Sequence, residues 1–326
     1  MKTKQIHTKN YNMIFNPITG FMARWGKTLE EDPQWCELGP EIADIEISTI
    51  CHKGCSFCYK SNTIYGRYMT LETFQKVFVK LPDTITQIAF GIGDLDSNPD
   101  MLKIFNYCRE NNVVPNLTIN GYQIVPKIAK DLANLCGAIA VSNYDHTVCL
   151  NAVEMLSDAG LNQVNVHYML AKETLSNLYD FLQIEDSRKK KINAIVLLSL
   201  KKCGRGSKYT QLNQKEFNNL IEKAAIWDIP LGFDSCSAHK YMNAVRGTQH
   251  EAMAQIYAEP CESGLFSIYI NVDAYVSPCS FTENNTFKLN LLGDIDFLNN
   301  IWLSSEMKEW RNRLWSNNRE CPLYRI

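Results

Sequence analysis

Asp44-Ile45-Glu46-Ile47-Ser48-Thr49-Ile50-Cys51-His52-Lys53-Gly54-Cys55-Ser56-Phe57-Cys58-Tyr59 carries two signals in one stretch. Asp44 to Thr49 sets apolar Ile45 and Ile47 among polar neighbours, which reads as a strand. A Cys-x3-Cys-x2-Cys loop follows directly. Three thiolates at that spacing wrap one cube-shaped iron–sulfur cluster, which prefers four cysteine ligands. The missing ligand leaves one iron open for a small chelator, as catalytic metal sites keep a position that structural sites close. A zinc knuckle completed by His52 is the rival, but zinc sites usually show paired Cys-x2-Cys spacings.

Outward from this loop the chain alternates. Apolar runs at Ile85 to Phe90, Val113 to Ile119, Ala138 to Ser142, Val164 to Leu170, Ile192 to Leu200 and Pro230 to Phe233 read as strands. Between them lie helical patterns from Thr70 (a cap) to Lys80, Asp100 to Asn111, Ile124 to Leu135, Thr147 to Ala159, Leu175 to Gln183 and Phe217 to Trp227. Such alternation marks βα units around a parallel sheet. About six or seven units fit, too few for an eight-fold barrel. The expected fold is α/β, a partial parallel (β/α)6-type barrel with a small cysteine-rich C-terminal domain. Residues 1–43 read as an N-terminal hairpin turning at Asn16-Pro17-Ile18-Thr19-Gly20, 44–235 as the partial barrel, and 236–326 as the C-terminal domain.

Three further motifs fall at the ends of successive strands. These are Phe90-Gly91-Ile92-Gly93-Asp94, Thr118-Ile119-Asn120-Gly121 and Ala140-Val141-Ser142. The C-terminal ends of barrel strands are where such folds keep their chemistry, and glycine permits close backbone approach. Together with Cys51, Cys55 and Cys58, flanked by Phe57 and Tyr59, they resemble the signature of the radical S-adenosylmethionine superfamily over roughly residues 44 to 234. The resemblance implies that the open iron binds the methionine end of S-adenosylmethionine and that reductive cleavage yields a 5′-deoxyadenosyl radical. It implies cofactor contacts from Gly91, Gly93, Asp94, Asn120 and Ser142. Asp94 stands where relatives have Glu, and Ile92 separates the two glycines.

Beyond the barrel, Cys236, Cys261, Cys279 and Cys321 remain. Cys261 opens and Pro278-Cys279 closes a hairpin of Phe266–Asn271 and Tyr275–Pro278, similar to the start of a SPASM or Twitch domain. That likeness implies one auxiliary 4Fe–4S cluster on the four cysteines. Residues between Asp234 and Phe287 otherwise show little helix, and a final helix carries Trp302, Trp310 and Trp315. Cys108, Cys136 and Cys149 fall in core patterns and read as small buried hydrophobes. Cys36 reads as structural and Cys203 as a loop residue.

Composition agrees with a globular enzyme. Of 326 residues, 45% are hydrophobic and 21% charged, and 33 basic side chains balance 35 acidic ones. No basic footprint points to nucleic acid, no apolar run spans a membrane, and the N-terminus lacks a signal peptide's apolar core. A cytoplasmic location is expected, where the 12 cysteines favour metal ligation over disulfides. The Arg188-Lys189-Lys190-Lys191 run reads as a solvated loop. The resemblance implies a peptide or protein side chain as substrate and an electron donor such as flavodoxin or ferredoxin. A small-molecule substrate, or a non-catalytic two-cluster electron carrier, is the alternative. No catalytic acid or base stands out: Asp234, Asp145, His146 and Tyr144 lie near strand ends and read as capping or surface residues.

Overall fold

The computed structural model describes residues 2–224, 230–283, 287, 289–324 and 326. At the N-terminus β1 (Lys4–His7), β2 (Asn12–Phe15) and β3 (Met22–Trp25) form a three-stranded antiparallel sheet turning at Gly20. The main sheet holds β4 (Ile42–Glu46), β5 (Gln87–Gly91), β6 (Val114–Ile119), β7 (Ile139–Ser142), β8 (Val164–Leu170), β9 (Ala194–Ser199) and β10 (Leu231–Phe233), parallel and in chain order. Consecutive right-handed crossovers in one direction put every connecting helix on the same face. Those helices are α1 (Leu71–Phe78), α2 (Met101–Glu110), α3 (Pro126–Leu135), α4 (His146–Asp158), α5 (Leu175–Gln183) and α6 (Gln214–Ala224). The rest of the Phe217–Trp227 helix expected from sequence lies outside the described residues.

The two faces of the sheet differ in chemistry. On β4, Ala43 and Ile45 are buried, as is Ile47 beyond it. The core they belong to continues through Phe74 of α1, Phe90 of β5 and Phe105 of α2, whose rings meet at 5.8 and 4.8 Å. Thr70 caps α1 by accepting from the Thr73 N–H at 3.1 Å, as a helix N-terminus requires. The alternate positions (Asp44, Gln87, Asn116, Thr118, Ser142, Asn165 and His167) face the other way and keep some accessible surface. A polar inner face of this kind suits a lumen that holds solvent or ligand, unlike a barrel interior closed by side chains.

The C-terminal region joins the same sheet. After β10 the chain forms α7 (Ala238–Ala244) and α8 (Glu251–Tyr257), where the sequence reading expects little helix. Ala238 and Val245 are buried together, and Tyr241 stacks on Phe233 at 4.8 Å, so tertiary packing supplies what local propensity does not. β11 (Ser267–Ile270) then pairs parallel with β4, and β12 (Val276–Ser277) closes a hairpin onto it. The expected final helix is split. A π-helical turn at Phe297–Trp302 ends before Ser304, which caps α9 (Ser305–Ser316). Trp302 donates to the Cys36 carbonyl at 2.7 Å, Trp310 to that of Ser263 at 3.0 Å, and Arg311 to that of Gly264 at 2.6 Å, its guanidinium lying over Trp35 and Trp302. The basic run is a 3-10 turn rather than a solvated loop. Lys189 donates to the Leu182 and Ile184 carbonyls at the end of α5, and Lys191 pairs with Asp158 at 2.6 Å.

Candidate active site

The loop carrying Cys51, Cys55 and Cys58 leaves β4 and folds back on itself. Thr49 N–H donates to the Arg67 carbonyl and Cys51 N–H to that of Thr63, at 2.9 and 3.0 Å. The ends of neighbouring strands hold it. After β5, Asp94 N–H donates to the Ile50 carbonyl at 2.9 Å. Its carboxylate accepts from the His52 N–H at 2.7 Å, meets His52 Nδ1 at 2.6 Å, and accepts from Asn120 Nδ2 at 3.0 Å. Gly93 fits beneath this loop, since a Cβ there would run into the Ile50 carbonyl and Cys51; Gly91 has room for one. The structure thus gathers Gly91, Gly93, Asp94 and Asn120 against the cysteine loop. Ser142 stands at the end of β7, beside Tyr144.

A second brace comes from the far side of the sheet and was not foreseen. Arg205, after β9, donates from Nε to the Cys55 carbonyl at 2.7 Å and from both terminal nitrogens to Asn62, while its N–H donates to the Cys58 carbonyl at 3.0 Å. Gly204 reaches it with φ +54° and no room for a Cβ against Tyr59 and Cys58, a position that only glycine takes without strain. The glycines flanking Arg205 in Lys201-Lys202-Cys203-Gly204-Arg205-Gly206 were the available signal.

Tyr59 and Tyr144 flank the cysteine loop and both keep accessible surface. Tyr144 keeps the surface exposure expected of it. Its ring packs on Phe57 at 5.4 Å, and its hydroxyl senses Cys51, Cys55 and Cys58. Tyr59 packs at a tilt on Phe281, ring centroids 4.5 Å apart, and senses Glu46, Asp44 and Cys58. Asp234 stands at the N-cap of the 3-10 turn Ser235–Ser237, but its carboxylate is spent elsewhere than on capping. It pairs with the buried Lys201, accepts from Ser237 Oγ at 2.6 Å and from the Ser199 N–H at 3.2 Å. Burial lowers His167 to about 4 despite Asp234 nearby, which leaves a neutral imidazole. Asp145 does cap α4, accepting from the Val148 N–H, but His146 packs inward on Phe181 at 5.0 Å. A polar recess of about 340 Å³ opens between the cysteine loop and Val272 and Glu283, with Lys60 bridging Glu46 and Glu283.

The four C-terminal cysteines come together from distant segments. Burial raises the Cys279 thiol, and Cys261, Cys236 and Cys321 raise it further; Cys236 is pushed to about 12 by burial, opposed by Lys201. In the first set, burial and then Cys51 and Cys58 push Cys55 to about 11. Among the described residues no three His, Cys, Asp or Glu side chains close on a single metal ion. Within each set the thiols are close enough to raise one another electrostatically, and thiolates are the donor type that an iron–sulfur cube uses. Cys203 is a loop residue, as expected, just before the 3-10 turn Gly204–Lys208 that carries Arg205. Cys36, Cys108, Cys136 and Cys149 are buried, as expected.

Residues 45–148 match the radical SAM superfamily, and residues 261–322 match an iron–sulfur cluster-binding domain, SPASM. No curated protein matches the chain by sequence. Among solved structures, Streptococcus suis SuiB bound to S-adenosylmethionine superposes with a TM-score of 0.65 at 15% identity, over 85% of this chain and 68% of that one. SuiB bound to its precursor peptide SuiA gives 0.62 at 13%, over 83% and 66%. The enzyme anSMEcpe with bound AdoMet and Cp18Cys peptide gives 0.59 at 14%, over 83% and 82%. At these identities the likeness is one of fold. The chain belongs to the radical SAM superfamily, an enzyme with a SPASM domain whose cofactors are 4Fe–4S clusters and S-adenosylmethionine.

Proposed function

We propose that this enzyme modifies a side chain of a ribosomally made peptide or protein between the two cysteine sets. Bound at Cys51, Cys55 and Cys58, a 4Fe–4S cluster with S-adenosylmethionine would supply radical chemistry able to remove a hydrogen atom from the substrate. In this reading Cys51, Cys55 and Cys58 hold that cluster, and Arg205 and Asp94 fix the loop that carries them. Gly91, Gly93, Asn120 and Ser142 lie where the cofactor would run along the strand ends. Asp94 contributes by orienting the loop, because His52 and Asn120 already occupy its oxygens. Cys236, Cys261, Cys279 and Cys321 hold an auxiliary cluster with no open iron, suited to electron transfer or structural support. Domain limits of 44–235 and 236–326 follow from these roles. The N-terminal sheet is residues 1–43.

The observation that carries the reading is the aromatic bridge between the two thiol sets: Tyr59, next to Cys58, packs on Phe281 at 4.5 Å, and Tyr324, whose N–H donates to Cys321 Sγ at 3.4 Å, donates from its hydroxyl to the Phe281 carbonyl at 3.3 Å. Structures of SuiB and anSMEcpe with peptides bound give it further support. No described helix is long and apolar enough to cross a membrane, and a reducing cytoplasm with a flavodoxin- or ferredoxin-type donor suits the thiols. The test is anaerobic turnover with reductant, S-adenosylmethionine and fractions of a lysate from deuterium-grown cells. Deuterium entering 5′-deoxyadenosine from the peptide and protein fraction is the expected result. Transfer from the small-molecule fraction alone would overturn the peptide assignment, and no 5′-deoxyadenosine at all would overturn the mechanism.

A further inference from the structure

Lys201 and Arg319 both approach the C-terminal cysteines, but they are enclosed to different degrees. Arg319 donates to the Cys261 and Pro260 carbonyls, pairs with Glu259 and keeps 14% of its side-chain surface, whereas Lys201 keeps 4%. Lys201 follows β9, and its ammonium is held by Asp234, which begins the 3-10 turn Ser235–Ser237 that carries Cys236. The ammonium also lies 4.9 Å from the centre of the Phe281 ring. Phe281 stands two residues after Cys279, and its carbonyl accepts from the hydroxyl of Tyr324, three residues after Cys321. One buried positive charge therefore stands among the segments that carry three of the four thiols.

Stability is a weak reason to keep such a group. Desolvating an ion pair costs about as much as the pair returns, and apolar residues of similar volume often replace it without loss. The turn at Cys236 has other support, since Asp234 accepts from Ser237 Oγ at 2.6 Å and from the Ser199 N–H at 3.2 Å. The pair is also lopsided toward the cysteines. Burial raises the Cys236 thiol, and against that Lys201 pulls it down more strongly than Asp234 pushes it up. The positive end is thus the nearer one to Cys236, and the two charges do not cancel there.

We propose that Lys201 tunes the C-terminal 4Fe–4S cluster, its ammonium favouring the state that has taken up an electron. The assignment rests on the reading of Cys236 and Cys279 as ligands of that cluster. In the step concerned, one electron passes from a flavodoxin- or ferredoxin-type donor, which is oxidised, to the cluster, which is reduced; no bond is made or broken. Reduction adds one negative charge, and a fixed cation in a water-poor interior stabilises it more than a cation at the surface would. Net charge and burial around a cluster are among the levers that set its potential. Lys201 touches no substrate in this account and acts through the cluster alone.

The test is a redox titration of the anaerobic full-length protein at pH 7.5, followed by electron paramagnetic resonance. A variant with Cys51, Cys55 and Cys58 replaced by Ala identifies the signal of the C-terminal cluster. Lys201→Met is expected to lower the reduced-to-oxidised ratio of that cluster at a fixed potential at least about tenfold, a midpoint about 59 mV more negative for a one-electron couple. Asp234→Asn removes the opposing charge and should move the midpoint the other way, by a smaller amount. Shifts of opposite sign mark an effect of charge, whereas loss of support for the turn would move both variants alike. An unchanged midpoint in either iron-loaded variant, or two shifts of one sign, overturns the proposal. If Lys201→Met loses its iron, the Asp234→Asn arm decides alone. Failure of the ligand reading looks different, since the Cys51/Cys55/Cys58 variant would then fold without iron.

Discussion

The two cysteine sets are built in opposite ways. Cys51, Cys55 and Cys58 lie in one short loop, and the fold adds braces to it: Asp94 from the end of β5 and Arg205 from beyond β9. Cys236, Cys261, Cys279 and Cys321 are spread over the last third of the chain. They meet only because β11 pairs with β4 and the tryptophans of the last helices dock on Cys36 and Ser263. Bringing distant segments together costs loop-closure entropy that a local loop does not incur. The first set is therefore a preformed claw, and the second exists only once the C-terminal region has folded. Metal binding at the second should accordingly be coupled to folding.

The largest expected effect separates the sets by chemistry. Replacing Cys51, Cys55 or Cys58 with Ala should lower 5′-deoxyadenosine formation by about three orders of magnitude or more, roughly 4 kcal/mol of barrier. Cys279→Ala should leave uncoupled cleavage within about tenfold of wild type while product formation and solubility fall. Anaerobic protein should carry about eight irons and the triad variant about four, two cubes against one. A folded triad variant free of iron would leave no second cluster, and the contrast would collapse.

Next in size is the brace. Arg205→Ala removes side-chain donors to Cys55 and Asn62, a loss of about 3 kcal/mol if one charge-assisted bond counts fully. Iron release to a chelator should then speed up for the first cluster and not the second, read as a biphasic trace. Arg205→Lys should recover only part, because an ammonium cannot span both carbonyls as the planar guanidinium does. Uniform release of all the iron would mean that Arg205 supports the whole fold rather than the loop.

How much of this was legible follows the same division. The βα alternation and the first cysteine loop are local patterns, and the strand order came out as written, with seven parallel strands from β4 to β10. Cys108, Cys136 and Cys149 were readable as core because their neighbours carry the helix period. What stayed hidden depends on contacts far apart in sequence. The Arg205 brace spans about as much chain as separates β4 from β9. Helices α7 and α8 form where Tyr241 finds Phe233, a contact absent from local propensity.

A smaller effect sharpens the account of the glycines. Gly93→Ala sets a methyl against the Ile50 carbonyl and the cysteine loop, whereas Gly91→Ala meets nothing nearer than Glu46 at 3.7 Å. Overpacking of the first kind costs about 1–3 kcal/mol. Gly93→Ala should therefore loosen the first cluster and lower the melting temperature, and Gly91→Ala should do neither. If both lost affinity for S-adenosylmethionine while retaining iron, the glycines would serve the cofactor and not the loop.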